Sequence, residues 1–252
     1  MSNSRKVGFY RIPLLGNIAL FFLFLGHLCY GIKDFLRGRL SISWMHFLLI
    51  VYHSGAKMVI PMMIVSSLMG ASLILNIYRV LTPVFLQDQI LLVAQNILFY
   101  DLIPFILGLV LSIQLALNLV NAQIKRLQRS PQEVVLQIII PLIIGGNLSA
   151  LLLYIYSLNA LFFSIYLCFR YLLNTNLHEY LFHLTNTIST VNISYSIFKS
   201  LIYCTIVCLV VGYYYYSVAS SHLSLRKAMS RIMSRSLACI TISSIYFKFF
   251  SY

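Results

Sequence analysis

Asp101 is the acidic side chain set deepest in an apolar run, three residues ahead of Pro104. A carboxylate inside a membrane is costly enough to be read as functional by default, and a proton-coupled carrier or small channel could be built around it. No intramembrane partner for it is evident from the sequence. Gln114, Asn118 and Asn121 follow in the same run, a pattern that also fits polar side chains facing the interior of a helix bundle. The string His178-Glu179-Tyr180-Leu181-Phe182-His183 is close to the zinc-protease pattern, but its histidines are five apart. On a helix they diverge by roughly 140°, and the string reads instead as a polar extramembrane loop. His46 and His53 have no third ligand nearby in the sequence and read as interfacial side chains. The five cysteines are odd in number and scattered, mostly within apolar runs, which implies neither a disulfide framework nor a metal site. No Gly-x-x-x-x-Gly-Lys-Ser/Thr loop occurs, so any ATP is bound by a partner rather than by this chain. No nucleophile, base and orienting group recur at helical spacing within one run, which argues against an enzyme.

The elements that must position these residues are hydrophobic helices. Of 252 residues, 60% are hydrophobic and 9% charged, too little polar surface to cover a water-soluble globule. The expected fold is an all-α integral membrane protein, with an N-terminal interfacial helix followed by five transmembrane helices. The leading apolar stretch, Ile12 to Ile32, has bases at both ends and is broken by Gly16, Asn17, Gly26 and His27, which suits a helix lying in the interface. Spans are expected over roughly Met58 to Phe85, Ile90 to Val120, Val134 to Cys168, Ser196 to Val218 and Ile232 to Phe250. Pro104 falls inside the second and should bend it or mark a local break.

The net charge of +13 would raise the question of nucleic acid in a soluble protein. Here the bases flank apolar stretches and set orientation instead. Lys125, Arg126 and Arg129 follow the second span, and Arg226, Lys227, Arg231 and Arg235 lie between or at the start of the fourth and fifth. Both connections, and the N-terminus, are therefore expected on the cytoplasmic side. Residues 1–49 form the N-terminal segment with its interfacial helix, and 50–252 the five-span domain. Within the latter, a cytoplasmic segment at about 122–136 carries Gln123, Lys125, Arg126, Arg129, Gln132 and Glu133. Ser130, Pro131 and Glu133 make a plausible helix start there. The segment reads equally as a topogenic loop or as an element that docks on a soluble subunit.

Several pieces, taken with their spacing, resemble the MlaE-type permeases, membrane subunits of ABC systems that move phospholipid with MCE proteins. Tyr52 and Gly55 match a Tyr-x-x-Gly. Gly70-Ala71-Ser72-Leu73-Ile74-Leu75-Asn76-Ile77-Tyr78 is similar to Gly-x-x-Leu-x-Leu-Gln-x-Tyr, and Asp101-Leu102-Ile103-Pro104 falls without a gap where the family has Glu-Leu-Gly-Pro. Lys199-Ser200 and the run from Ala228 to Ser236 keep the spacing of later family patterns. The chain departs from them at Ser112 to Leu117, at Ala122-Gln123-Ile124-Lys125, and at Ser244, where the family carries Gly-Arg-x-Gly, Ala-Glu-Ile-Gly and an acid. The resemblance implies a non-catalytic permease that works as a homodimer with an ABC ATPase and an MCE protein, in a bacterial inner membrane or a plastid inner envelope. It places Gly70, Asn76, Tyr78, Asp101 and Pro104 along a lipid path or helix interface. It also gives Gln123, Lys125, Arg126, Arg129, Gln132 and Glu133 a role in coupling to the ATPase. A secondary carrier using Asp101, and an assembly subunit that transports nothing, are the alternatives.

Overall fold

A computed structural model of the chain describes residues 13–37, 44–81, 97–126, 135–173, 176–187, 190–220 and 224–250. Those residues are helical almost throughout, with no strand among them. The helices are α1 (Pro13–Leu36), α2 (Trp44–Ser54), α3 (Val59–Leu81), α4 (Ile103–Arg126), α5 (Ile140–Leu173), α6 (Leu177–Thr187), α7 (Thr190–Ala219) and α8 (Leu225–Phe250). A 3-10 turn, Ala56–Met58, joins α2 to α3. Wide π-helical turns at Leu98–Leu102 and Val135–Ile139 lead into α4 and α5.

Four stretches among the described residues are long and apolar enough to cross a membrane: Phe47–Val80, Leu98–Asn118, Ile140–Leu172 and Val191–Ala219. The first starts earlier than Met58, because α2 and α3 continue one another through the turn at Gly55. The helix over the fifth expected span is present as α8. Its bases Arg226, Lys227, Arg231, Arg235 and Lys248, together with its serines, leave it too polar to join the four. The string from His178 to His183, expected as a loop, lies in helix α6. Tyr180 and Leu184, one turn apart, face inward, which the histidine spacing did not reveal. The Tyr180 hydroxyl donates to the Phe162 carbonyl at 3.1 Å, and its ring lies against Tyr166 and Phe169. Burial pushes the phenol well above its ordinary pKa, so it stays a neutral donor that ties α6 to the end of α5.

In lipid the hydrophobic effect does not press helix against helix, so close fit must do so. α3 packs along α5, α4 along α7, and α7 is flanked by α5 and α8, with α8 also reaching α4. Leu107, Leu111 and Leu115 of α4 and Tyr203, Val207 and Val211 of α7, each set spaced by one turn, are buried in the core where the two helices pack. α5 approaches α7 at Gly146, where a β-carbon would lie 2.6 Å from the Cys208 sulfur. Cys208 in turn sits 3.9 Å from the Cys204 sulfur. On α1 the buried stripe Leu20, Phe24, Leu28 and Gly31 faces the bundle. Phe24 packs into the rings of Tyr213 and Tyr216, and His27 Nδ1 lies 3.1 Å from the Tyr216 hydroxyl. The opposite face of α1 exposes Phe21, Phe22, Leu23 and Leu25.

Substituting Gly146 by Val should therefore lower stability in detergent by about 1–3 kcal/mol through overpacking. Gly26→Ala, at a site with nothing within 4 Å of the added carbon, should be neutral or slightly stabilising. Unfolding temperatures of the two purified variants measure the difference, and equal shifts would mean that the α5–α7 contact is not a tight one.

Candidate functional site

The π turn Leu98–Leu102 is a consequence of Pro104. The Ile103 N–H reaches back five residues to the Leu98 carbonyl. In that wide register the next donor, which would serve the Phe99 carbonyl, belongs to residue 104, and proline has none. Ser196 of α7 fills the gap, its hydroxyl donating to the Phe99 carbonyl at 2.5 Å in a buried contact. A backbone group left unpaired in lipid costs several kcal/mol, so this one serine fixes α7 against the broken start of the second span. The local break expected at Pro104 is this turn.

One helical turn beyond Ser196, Lys199 Nζ donates to Asp101 Oδ1 at 2.7 Å. The lysine side chain is 3% exposed and the aspartate 36%, so the base is interior and the acid sits at a partly open edge. Lys248 of α8, largely exposed, lies 3.5 Å from the other carboxylate oxygen. The Lys199 ammonium also lies 5.9 Å from the Tyr203 ring centre and 6.0 Å from that of Phe247, within range of cation–π attraction. Three helices, α4 through its leading turn, α7 and α8, thus meet at one carboxylate. With two ammonium groups on one acid, the cluster carries one surplus positive charge.

Asp101, for which the sequence shows no evident intramembrane partner, thus has one in Lys199. Lys199 is 98 positions away in another helix, and only its place inside an apolar run hinted at the pairing.

A second polar cluster supports the turn between α2 and α3. Gly55 leaves no room for a side chain, since a β-carbon there would meet the Val51 carbonyl oxygen at 2.7 Å and Ser149 Oγ at 3.1 Å. Gln114 of α4 donates to the His53 carbonyl at 2.8 Å, and Asn118 donates to Ser54 Oγ at 3.1 Å. Two of the three polar residues noted after Asp101 therefore face inward, as a bundle-interior reading anticipates, and Gln114 pairs a backbone carbonyl at another interrupted helix.

The remaining candidates separate. Pro104 is buried next to Asp101 on the same turn of chain. Gly70 is buried on α3, where Leu161 of α5 stands 3.4 Å from the position of an added carbon. Asn76 is exposed on the outer face of α3, and Tyr78 is half-buried against the core. Gln123, Lys125 and Arg126 fall in the last turn of α4, while Arg129, Gln132 and Glu133 lie outside the described residues.

A model of the family described as Permease MlaE matches residues 47–250. Comparison with curated proteins finds no match.

The ion pair makes an asymmetric prediction. Asp101→Ala strands a buried ammonium and should cost about 3–5 kcal/mol, whereas Lys199→Met removes the buried charge and leaves Asp101 to Lys248 and solvent, at a smaller cost. The double variant should recover most of the Asp101→Ala loss. Chemical unfolding in detergent checks the order, and a Lys199→Met loss as large as that of Asp101→Ala would contradict it.

Proposed function

Because this multi-pass membrane chain belongs to the MlaE permease family, we propose that it is the non-catalytic permease subunit of an ABC-type lipid transport system. In this reading two copies pair, a separate ATPase binds and hydrolyses ATP, and an MCE protein receives or delivers phospholipid. The membrane is a bacterial inner membrane or a plastid inner envelope, with α1 in the interface and α8 as the fifth crossing. The family match across 47–250, which takes in all four apolar spans found among the described residues, is the observation that carries this reading.

The geometry offers a route for coupling. The segment at about 122–136 runs directly into the π turn Val135–Ile139, which is wedged between two helices. The side chains of Ile139 and Ile140 sit where glycines make room. Ile139 Cγ2 is 2.9 Å from the site of a β-carbon on Gly212 of α7, and Ile140 Cδ1 is 2.8 Å from one on Gly31 of α1. A push on the segment from an ATPase would move this turn. It would then reach α7, the helix that carries Lys199, through packed side chains with little slack.

The Asp101–Lys199 pair supplies the ionisable partner that a secondary carrier would need, so that alternative keeps one specific observation in its favour. It is separated from the ABC reading by ATP dependence.

Gentle solubilisation of the tagged chain followed by mass spectrometry should recover an ABC ATPase and an MCE protein with bound phospholipid. Recovery of the chain alone across several detergents would overturn the assignment. In the reconstituted complex, Gly212→Ala should cut lipid transport about tenfold while ATPase binding persists. If transport is unchanged, the π turn is not the transmitting element.

A further inference from the structure

Gly212 of α7 is a seat with two occupants. Ile139 of the π turn enters the notch left by its missing side chain, with Cγ2 2.9 Å from the β-carbon position, and the ring edge of Phe24 from α1 enters it at 3.6 Å. Two turns further along α1, Gly31 offers a second notch. Ile140 Cδ1 fills it at 2.8 Å, Leu136 Cδ2 at 3.2 Å and Val135 Cγ1 at 3.7 Å. The turn Val135–Ile139 therefore lies between α1 and α7 and bears on the seating of α1 twice, directly at Gly31 and through the shared notch at Phe24.

The substantial contacts of α1 are with this turn, with α7 and with α5, while Phe21, Phe22, Leu23 and Leu25 face outward. In lipid, moving Leu20, Phe24 and Leu28 off the bundle exchanges protein neighbours for acyl chains, and the hydrophobic effect does not oppose that exchange. Close fit opposes it, and a radial gap of about 0.5–1 Å already forfeits a quarter to a half of each such contact. The His27–Tyr216 contact adds a polar tie. A small displacement of the turn is therefore enough to change how firmly α1 sits over Tyr213 and Tyr216, the rings that Phe24 packs against.

We propose that α1 is a strap whose seating is set by the Val135–Ile139 turn. Displacing the turn unseats Gly31 and Phe24 together, lifts α1 from Tyr213 and Tyr216, and uncovers that flank of α7 to the surrounding lipid. That an ATPase supplies the displacement rests on the function proposed above. The gearing of α1 to the turn does not, and it is tested on the chain alone. Spin labels are placed at Leu25→Cys on α1 and Ile64→Cys on α3, both exposed positions, with Cys29, Cys168 and Cys239 replaced by serine. Their separation in lipid nanodiscs is measured by pulsed electron paramagnetic resonance. Ile140→Ala empties the Gly31 notch and should add a second population displaced by about 5 Å or more. Ile140→Ala/Gly31→Ala, which returns a methyl group to the space from the other side, should restore the single population. Leu153→Ala, a buried site on α5, should leave the distance unchanged. If Ile140→Ala does not fold, Gly31→Val, which drives α1 off the turn, carries the same comparison. An unchanged distance in the folded variant, or an equal change in Leu153→Ala, would overturn the strap. In the reconstituted complex, a non-hydrolysable ATP analogue should populate the displaced state of the otherwise unaltered chain. Unchanged distances with the ATPase bound would remove the strap from the transport cycle, whereas failure to recover any ATPase would sink the transport assignment and leave the result on the chain alone standing.

Discussion

A backbone carbonyl or amide inside a bilayer has no water to turn to, and much of this structure follows from how the chain meets that demand where its helices are interrupted. Two of the interruptions are mended by a side chain from a distant part of the sequence. At the α2–α3 turn, Gln114 donates to the His53 carbonyl. Ahead of Pro104, Ser196 donates to the Phe99 carbonyl. The third, at Val135–Ile139, is enclosed by packing, with Gly31 and Gly212 accepting the isoleucines that flank its end. Each repair joins two helices that are far apart in sequence, so the interruptions hold the bundle together. The first two are also positions where polar side chains gather in the interior.

The polar residues of the second span illustrate how far a sequence can be read. Pro104 announced a local break because a missing N–H has local consequences, and Asp101 stood out because a carboxylate in an apolar run is costly wherever the chain goes. Helix periodicity and basic connections likewise operate over a few turns, so the helical class and four spans were legible. The partners were not. Lys199 reaches Asp101 through the packing of α7 on α4, and no local pattern records which helices become neighbours. The α6 helix was hidden for a different reason: Leu177, Leu181 and Phe182 are apolar on its exposed side, so no periodic apolar stripe marks the inward pair of Tyr180 and Leu184. Asp101 and Pro104 share one turn of chain, whereas Gly70 belongs to the contact of α3 with α5. Resemblance could group these residues, but only the packing separates their physical situations.

Charge is distributed just as unevenly. Lysines from α7 and α8 converge on the single carboxylate of Asp101, while the opposite half of α8 displays arginines with no acid to meet them among the described residues. One helix thus contributes a cation to a paired ionic cluster at its end and an open basic surface at its start. Its middle, where Ala228, Ile232, Ser236 and Ile240 are buried at one-turn intervals, packs on α7 and α4. This division explains why α8 belongs to the bundle although its composition is too polar for it to rank with the other spans.

The ionic cluster also bears on how the protein is made. Synthesis runs from the N-terminus, so Asp101 is delivered to the membrane well before its partner, and for that interval its charge must be borne without Lys199. Its place at the partly open start of a helix makes the wait tolerable. Lys199 has no such refuge, because its side chain ends up 3% exposed. When α7 leaves the insertion machinery, the waiting carboxylate gives that helix a reason to dock against α4 rather than elsewhere. The order of the two charges along the chain would thus act as an assembly instruction, with the more exposed residue inserted first and the deeply buried one last.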